Sequence, residues 1–186
     1  MKLLFLSGSF HTKSRSIALL KEIKSLYPKF EVSIPKLDKV PFYSDDLDKK
    51  RPQMVSELFS LAENSDGIII CTPEYNHSIP AVLKNAIDWV SRPAFNSVLK
   101  DKPVTIITQA QSPVGGARAQ AHLKLVLDST LSDIHMTHEM TIPGIDNVLN
   151  EQGKIVDEKT MMRLKRHIDD FIEHIEKGIK KAPVNH

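Results

Sequence analysis

The run Gly67-Ile68-Ile69-Ile70-Cys71 is too short for a helix and lacks polar alternation, so it predicts a strand covered on both faces. A polar loop follows, Thr72-Pro73-Glu74-Tyr75-Asn76-His77-Ser78-Ile79-Pro80, and then a helical pattern from Ala81 to Val90. Strand, loop and helix in that order form the repeating unit of an α/β sheet. Pro73 and Pro80 fix φ and lack backbone donors, so the loop between them is stiff. A stiff polar loop leaving the C-terminal end of a buried strand is where an open α/β sheet binds its ligand. Plain connectors seldom carry Tyr, Asn and His between two prolines.

The same unit recurs along the chain. Lys2 to Leu6 predicts strand one, and Ile17, Ala18, Leu19, Leu20, Ile23 and Leu26 recur at helical spacing. Phe30-Glu31-Val32-Ser33-Ile34 alternates and predicts a short edge strand. Pro35 to Pro52 is irregular, and Met54, Val55, Leu58, Phe59, Leu61 and Ala62 form the next helix. Val104 to Thr108 is strand four, and His122 to Leu127 lie on the helix after it. Asp133 to Ile142 is expected as strand five. A last helix starts near Asp157, with Met161, Leu164, Ile168, Phe171, Ile172 and Ile175 on one face; Lys180-Lys181-Ala182-Pro183 ends it in a frayed terminus. Five strands alternate with five helices, an α/β class with a parallel sheet in one domain over residues 1–186.

Composition narrows the function classes. The chain has 186 residues with 41% hydrophobic and 26% charged, an ordinary globular balance. No apolar run approaches the ~20 residues that span a bilayer, and the run at Met1 to Leu6 is too short for a signal peptide. The net charge of +2 demands neither nucleic acid nor membrane as partner. A single cysteine, Cys71, excludes an internal disulfide and suits a reducing compartment, so a cytoplasmic protein is expected.

The loop Ser7-Gly8-Ser9-Phe10-His11-Thr12-Lys13-Ser14-Arg15-Ser16 leads from strand one into a helix N-terminus. Free N–H groups and the positive helix end favour an anion there, and phosphate is expected. Hydroxyls of Ser9, Ser14 and Ser16 and charge from His11, Lys13 or Arg15 would add to it. Ser14 or Ser16 capping the helix is compatible with that reading. The loop has no Gly-x-Gly-x-x-Gly run and no Walker-type Gly-Lys-Ser/Thr pair, which argues against a dinucleotide cradle or a nucleoside triphosphate site. After strand four comes Gln109-Ala110-Gln111-Ser112-Pro113-Val114-Gly115-Gly116-Ala117-Arg118-Ala119-Gln120, where the glycine pair lets backbone approach a ligand.

Several sharper chemistries fail. Cys71 has no arginine six residues on, where a Cys-loop phosphatase needs one; position 77 is His. Asp45, Asp46 and Asp48 lack the glycine and distal glutamate of a calcium loop and read as a solvated loop. His135 and His138 are three apart, so on a strand they would face opposite sides, and no metal is expected.

Pro73-Glu74-Tyr75-Asn76, Ser78-Ile79-Pro80 and Leu83-Lys84-Asn85-Ala86-Ile87-Asp88-Trp89 resemble the signature of the NAD(P)H-dependent FMN reductase family, which includes azo, quinone and chromate reductases. Gly8-Ser9 with Ser14, and Gly115-Gly116 with Arg118 and Gln120, extend the resemblance over roughly residues 1 to 145. His11 stands where the family usually has Arg, Ser16 where it usually has Asn, and the family's further glycine after Pro113 is absent. The resemblance implies a flavodoxin-like fold with a five-stranded parallel sheet in the order 2-1-3-4-5. It implies FMN held by Ser9, His11, Ser14, Arg15, Ser16, Pro73, Glu74, Tyr75, Asn76, Gln111, Ser112, Gly115 and Gly116. Tyr75 would supply an aromatic wall for the flavin and Asn76 hydrogen bonds; Glu74 would cap a turn or pair with an arginine rather than act as a base.

His77 would touch the second substrate or stand in solvent. Arg118 would hold a phosphate of the nicotinamide cofactor or pair with a carboxylate across an interface. Trp89, at helical spacing, reads as core or oligomer interface; relatives are dimers or tetramers with this helix between subunits, which favours the interface. The implied reaction passes a hydride from NADPH or NADH to the flavin N5 and then electrons to a small acceptor: quinone, azo compound, metal oxyanion such as chromate, free flavin or oxygen. The flavin carries the chemistry, so no catalytic side chain is expected. The alternative is a flavodoxin-type electron carrier; such carriers are usually strongly acidic, and this chain is slightly basic. A third reading is a flavin-free relative.

Overall fold

The computed structural model describes residues 1–48 and 50–181. Its elements, in chain order, are β1 (Lys2–Ser7), α1 (Arg15–Leu26), β2 (Glu31–Ser33), a 3-10 turn (Leu37–Lys39), α2 (Asp45–Asp48), α3 (Gln53–Glu63), β3 (Gly67–Pro73), α4 (Ala81–Val90), β4 (Pro103–Gln109), α5 (Ala117–Ser129), β5 (Asp133–Ile134), β6 (Met140–Ile142), α6 (Ile145–Val148) and α7 (Glu158–Lys181). The sheet is 6-stranded, with the path β2-β1-β3-β4-β5 and β6 also paired to β4. Every pairing is parallel. The flavodoxin-like order is therefore present.

Alternation along the central strands explains the two cores. Leu3, Phe5, Ile69, Cys71 and Ile107 point to one face, where α1 and α7 cover them with Leu19, Leu20, Ile23, Leu164, Ile168 and Phe171. Leu4, Leu6, Ile68, Ile70, Val104 and Ile106 point to the other, under Leu58 of α3, Leu83 and Ala86 of α4, and Leu123 and Leu127 of α5. A strand buried on both faces must be apolar at every position, which is why β1 and β3 read as continuous runs. No helix among the described residues is long and apolar enough to cross a membrane.

Four expectations are corrected. The fifth strand is two short pieces, β5 and β6, which pair with opposite ends of β4 and leave residues 135–139 irregular between them. The three aspartates of the expected loop fall in the helical turn α2. Trp89 is not at a surface for a second subunit: it is fully buried, its Nε1 donates to the Pro41 carbonyl at 2.7 Å, and Tyr43 packs edge-on against it. Asn85, one helical turn earlier, donates to the same carbonyl at 2.9 Å and accepts from the Tyr43 N–H at 2.8 Å. Together these two side chains of α4 anchor the segment 41–43. The part of the expected frayed terminus that falls on residues 182–186 lies outside the described residues.

The fourth correction concerns the histidines. Because residues 135–139 are not a strand, His135 and His138 both face α7. His135 stacks on His174 with ring centroids 4.1 Å apart, and His138 meets His167 edge-on at 5.3 Å. His167 is buried, and its Nε2 lies 2.8 Å from Thr105 Oγ1 in the middle of β4. No group of three or more His, Cys, Asp or Glu among the described residues is arranged to hold a metal.

Candidate active site

The sheet register brings the three polar loops to one edge. Ser7 pairs with Cys71 and Cys71 with Ile107; one step on, Thr72 pairs with Thr108 and Pro73 with Gln109. The chain turns from β1 toward β2 on one side, while β3 and β4 continue on the other. The crevice between β1 and β3 is thus the switch point of the sheet. Gly8 lies over it. Its N–H donates to the Cys71 carbonyl at 2.9 Å, and a Cβ there would sit 2.0 Å from Thr72 Oγ1. Only glycine lets the first loop leave so close to β3.

That loop then prepares a helix end. Ser14 caps α1, its Oγ accepting from the Ile17 N–H at 3.2 Å, while His11 Nδ1 accepts the Lys13 N–H at 3.0 Å. The N–H groups of His11, Thr12, Arg15 and Ser16 have no protein partner among the described residues. Unpaired amides at a helix start suit a phosphate, and the loop fits the group expected there. Ser16 corrects the expectation for its hydroxyl: it is fully buried and turned inward, where its Oγ accepts from Gln109 Nε2 at 3.2 Å. Only its backbone N–H remains for a ligand. The Ser16 hydroxyl also lies against Cys71, whose thiol burial pushes up to about 12, so the cysteine is inert.

The second loop closes on itself. Tyr75 and Ser78 exchange N–H to carbonyl hydrogen bonds at 2.9 and 3.0 Å around Asn76 and His77. Both central residues have positive φ, 50° and 64°, the geometry of a two-residue type I′ turn. The turn leaves Tyr75, Asn76 and His77 exposed on the rim, with Tyr75 55% accessible. Ser78 is fixed from α5 by His122, Nδ1 to Oγ 3.0 Å.

Glu74 joins the second loop to the third. The residue before α5 is Gly116, at φ 85°, which has no side chain with which to cap the helix. Glu74 supplies the missing acceptor from another loop, taking the N–H of Arg118 at 3.1 Å and of Ala119 at 3.3 Å, and Arg118 completes an ion pair at 3.1 Å. Burial works to raise the Glu74 pKa, but the Ala119 and Arg118 hydrogen bonds and the Arg118 charge outweigh it and hold the carboxyl below its ordinary value. It pairs with an arginine, one of the two expected roles, but the element it caps is α5, far along the chain, and not the turn that follows it. Arg118 pairs with a carboxylate of its own chain.

In the third loop Gln111 and Ser112 are exposed, whereas Gly115 and Gly116 are buried. A Cβ on Gly116 would meet Thr108 Cβ at 2.9 Å, so its role is close packing at positive φ as well as approach to a ligand. One residue was missed. Asp146, in α6, accepts from Gln111 Nε2 at 2.6 Å and pairs with Arg15 at 2.7 Å, so it ties the first loop to the third. Its only sequence signal was the Pro143-Gly144 break after an apolar run. A cavity of about 770 Å³ flanks the first loop on its outer side, between α1 and residues 151–154, and is lined by Lys13, Ser14 and Arg15.

The profile of a family described as NADPH-dependent FMN reductase matches residues 1–145. The chain is 35% identical over 175 residues to a 2-hydroxy-1,4-benzoquinone reductase of Burkholderia, covering 92% of this chain and 94% of the relative. It is 32% identical over 182 residues to a quinone reductase of Escherichia coli, covering 95% and 96%. Among solved structures, FerB, a flavoenzyme NAD(P)H:acceptor oxidoreductase from Paracoccus denitrificans, superposes with a TM-score of 0.87 at 33% identity, covering 95% of this chain and 97% of FerB.

Proposed function

The chain belongs to the NADPH-dependent FMN reductase family, and from that premise we propose that its acceptor is a quinone. It is an NAD(P)H-dependent FMN oxidoreductase in which the flavin, when bound, accepts a hydride from the nicotinamide and gives up electrons to a small acceptor. The protein's own part is to bind and orient. The first-loop amides with Ser9, His11 and Arg15 would receive the phosphate, and Pro73, Glu74, Tyr75, Asn76, Gln111, Ser112 and the Gly115-Gly116 turn would hold the rest of the flavin. Ser14 contributes by capping α1. His77 and Arg118, both exposed, would meet the second substrate. The observation that carries the reading is the convergence of three loops, joined by Glu74 and Asp146, on the switch point of the sheet.

The choice of a quinone rests on the relatives' reactions and on the exposed aromatic Tyr75, which offers a flat acceptor a surface to stack on. The test is an anaerobic absorption spectrum of the protein reconstituted with FMN. NADPH or NADH is expected to bleach the flavin bands within seconds, and one equivalent of a benzoquinone to restore them. Bands that persist with both nicotinamides would defeat the enzyme reading; bleached bands that benzoquinone leaves unchanged would defeat the choice of acceptor.

The protein is further proposed to work as a homo-oligomer. The support is an apolar hollow of about 450 Å³ on the outer face of α4 and α5, lined by Ile79, Ala81, Leu125 and Val126, with Leu125 71% exposed. A second copy of the chain would bury it, close beside the exposed Tyr75 turn. Leu125→Asp is expected to convert a dimer or tetramer to monomer by light scattering. An unchanged mass, or a wild-type monomer, would remove the proposal.

A further inference from the structure

Arg15 is the one cation of the first loop that already has an anionic partner among the described residues. Its guanidinium lies 2.7 Å from Asp146 Oδ1, with 38% and 41% of the two side chains exposed. The other carboxylate oxygen, Oδ2, takes the Gln111 amide at 2.6 Å. Both partners of Asp146 are thus residues placed around the flavin, and they come from different loops.

The carboxylate does not reach them by chance of side-chain rotation. The turn that carries it is stapled to the third loop by two backbone hydrogen bonds, Ala110 N–H to the Ile142 carbonyl and Ile145 N–H to the Ala110 carbonyl, both 3.1 Å. Gly144, at φ 58°, supplies the left-handed step that starts α6. Gly115 packs against the same turn: a Cβ there would lie 2.9 Å from the Pro143 nitrogen. Asp146 is therefore held at the rim by a fixed backbone.

We infer that Asp146 competes with the flavin phosphate for Arg15 and so sets how tightly FMN is held. The carboxylate offsets the charge of the guanidinium and occupies one of its five donors. A phosphate arriving at the α1 N-terminus meets the loop amides, but it gains the full Arg15 charge only when Asp146 gives way. The resulting affinity is weaker than the loop could give, and the flavin exchanges more readily with solution. Lys13 has no carboxylate partner among the described residues and supplies the uncontested charge.

The inference rests on the assignment of this cleft to FMN, and its test separates the two. Dissociation constants are measured by quenching of flavin fluorescence on the apoprotein, for FMN and for riboflavin, which lacks the phosphate. Asp146→Asn is expected to tighten FMN about tenfold and leave riboflavin unchanged. Asp146→Ala, which also frees Arg15, is expected to move FMN in the same direction. Arg15→Gln should weaken FMN about tenfold in the Asp146→Asn background and only slightly in wild type. If Asp146→Asn leaves FMN unchanged or weakens it, or shifts riboflavin equally, competition is overturned. If wild type binds no FMN at millimolar concentration, the assignment of the cleft itself falls.

Discussion

Trp89→Ala is expected to destabilise the protein by about 3–5 kcal/mol, the cost of emptying a fully buried aromatic site. Its urea midpoint should fall with the slope unchanged, while the oligomeric mass stays that of wild type. The size follows from what Trp89 touches. Its ring is wholly covered, Tyr43 packs edge-on at 5.0 Å, and α4 would keep only Asn85 of its two anchors on the segment 41–43. Trp89→Phe is the informative contrast. It keeps most of the ring and deletes the N–H to the Pro41 carbonyl. That carbonyl still accepts from Asn85, so the loss should be only about 1 kcal/mol. A change of mass with little change of midpoint would restore Trp89 to an interface.

The second large effect is loss of stability in acid, centred on His167. Burial, with His138 close by, pushes His167 down from 6.5 to about 4, and Asp170 opposes this only in part. His135 and Arg163 add to the lowering. His135 is itself lowered by burial and by His174, and His138 by burial and by Arg166 and Arg163. The sign is set by proton counting. Between about pH 6.5 and pH 4 the unfolded chain binds the His167 proton and the folded chain does not, so stability falls as pH falls through that window. Full stability is present above about 6.5. His167 alone accounts for a loss of about 3 kcal/mol by pH 4, from a shift of roughly 2.5 units at about 1.36 kcal/mol each. His167→Gln keeps a hydrogen-bonding partner for Thr105 Oγ1 and removes the titration. Urea unfolding at pH 7 and pH 4.5 should show a much smaller difference in that variant. An equal difference would assign the acid sensitivity to other groups.

These two residues also mark what the sequence could and could not disclose. The α/β alternation, the edge position of β2 and the meeting of three loops were legible because each follows from a local pattern: continuous apolar runs, helical periods, and proline or glycine at the strand ends. The pairing of Glu74 with an arginine was legible, but its capping of α5, 44 residues on, was not. What failed to show was long-range. Trp89 has helical spacing like any core residue, and nothing local tells that its partner is Pro41. His135 and His138 were assigned to opposite faces because a strand was assumed where the chain is irregular. The Ser16 hydroxyl was given to the ligand, although Gln109, at the end of β4, turns it inward. Asp146 lies just past the stretch that resembles the family, in a four-residue helix with no motif, and only the fold brings it to Arg15 and Gln111.

The splitting of the fifth strand has a consequence for how the molecule behaves in a crowded solution. A long, flat outer strand is a row of unpaired donors and acceptors on which another polypeptide can add as a further strand. Here one border of the sheet is the three residues of β2, and the other is two residues of β5 and three of β6, with irregular chain between them. Neither border is long enough to template a foreign strand. High concentrations of this protein should therefore be tolerated without fibrillar or sheet-to-sheet association, even though its central strands are as apolar as the cores of amyloid-forming segments.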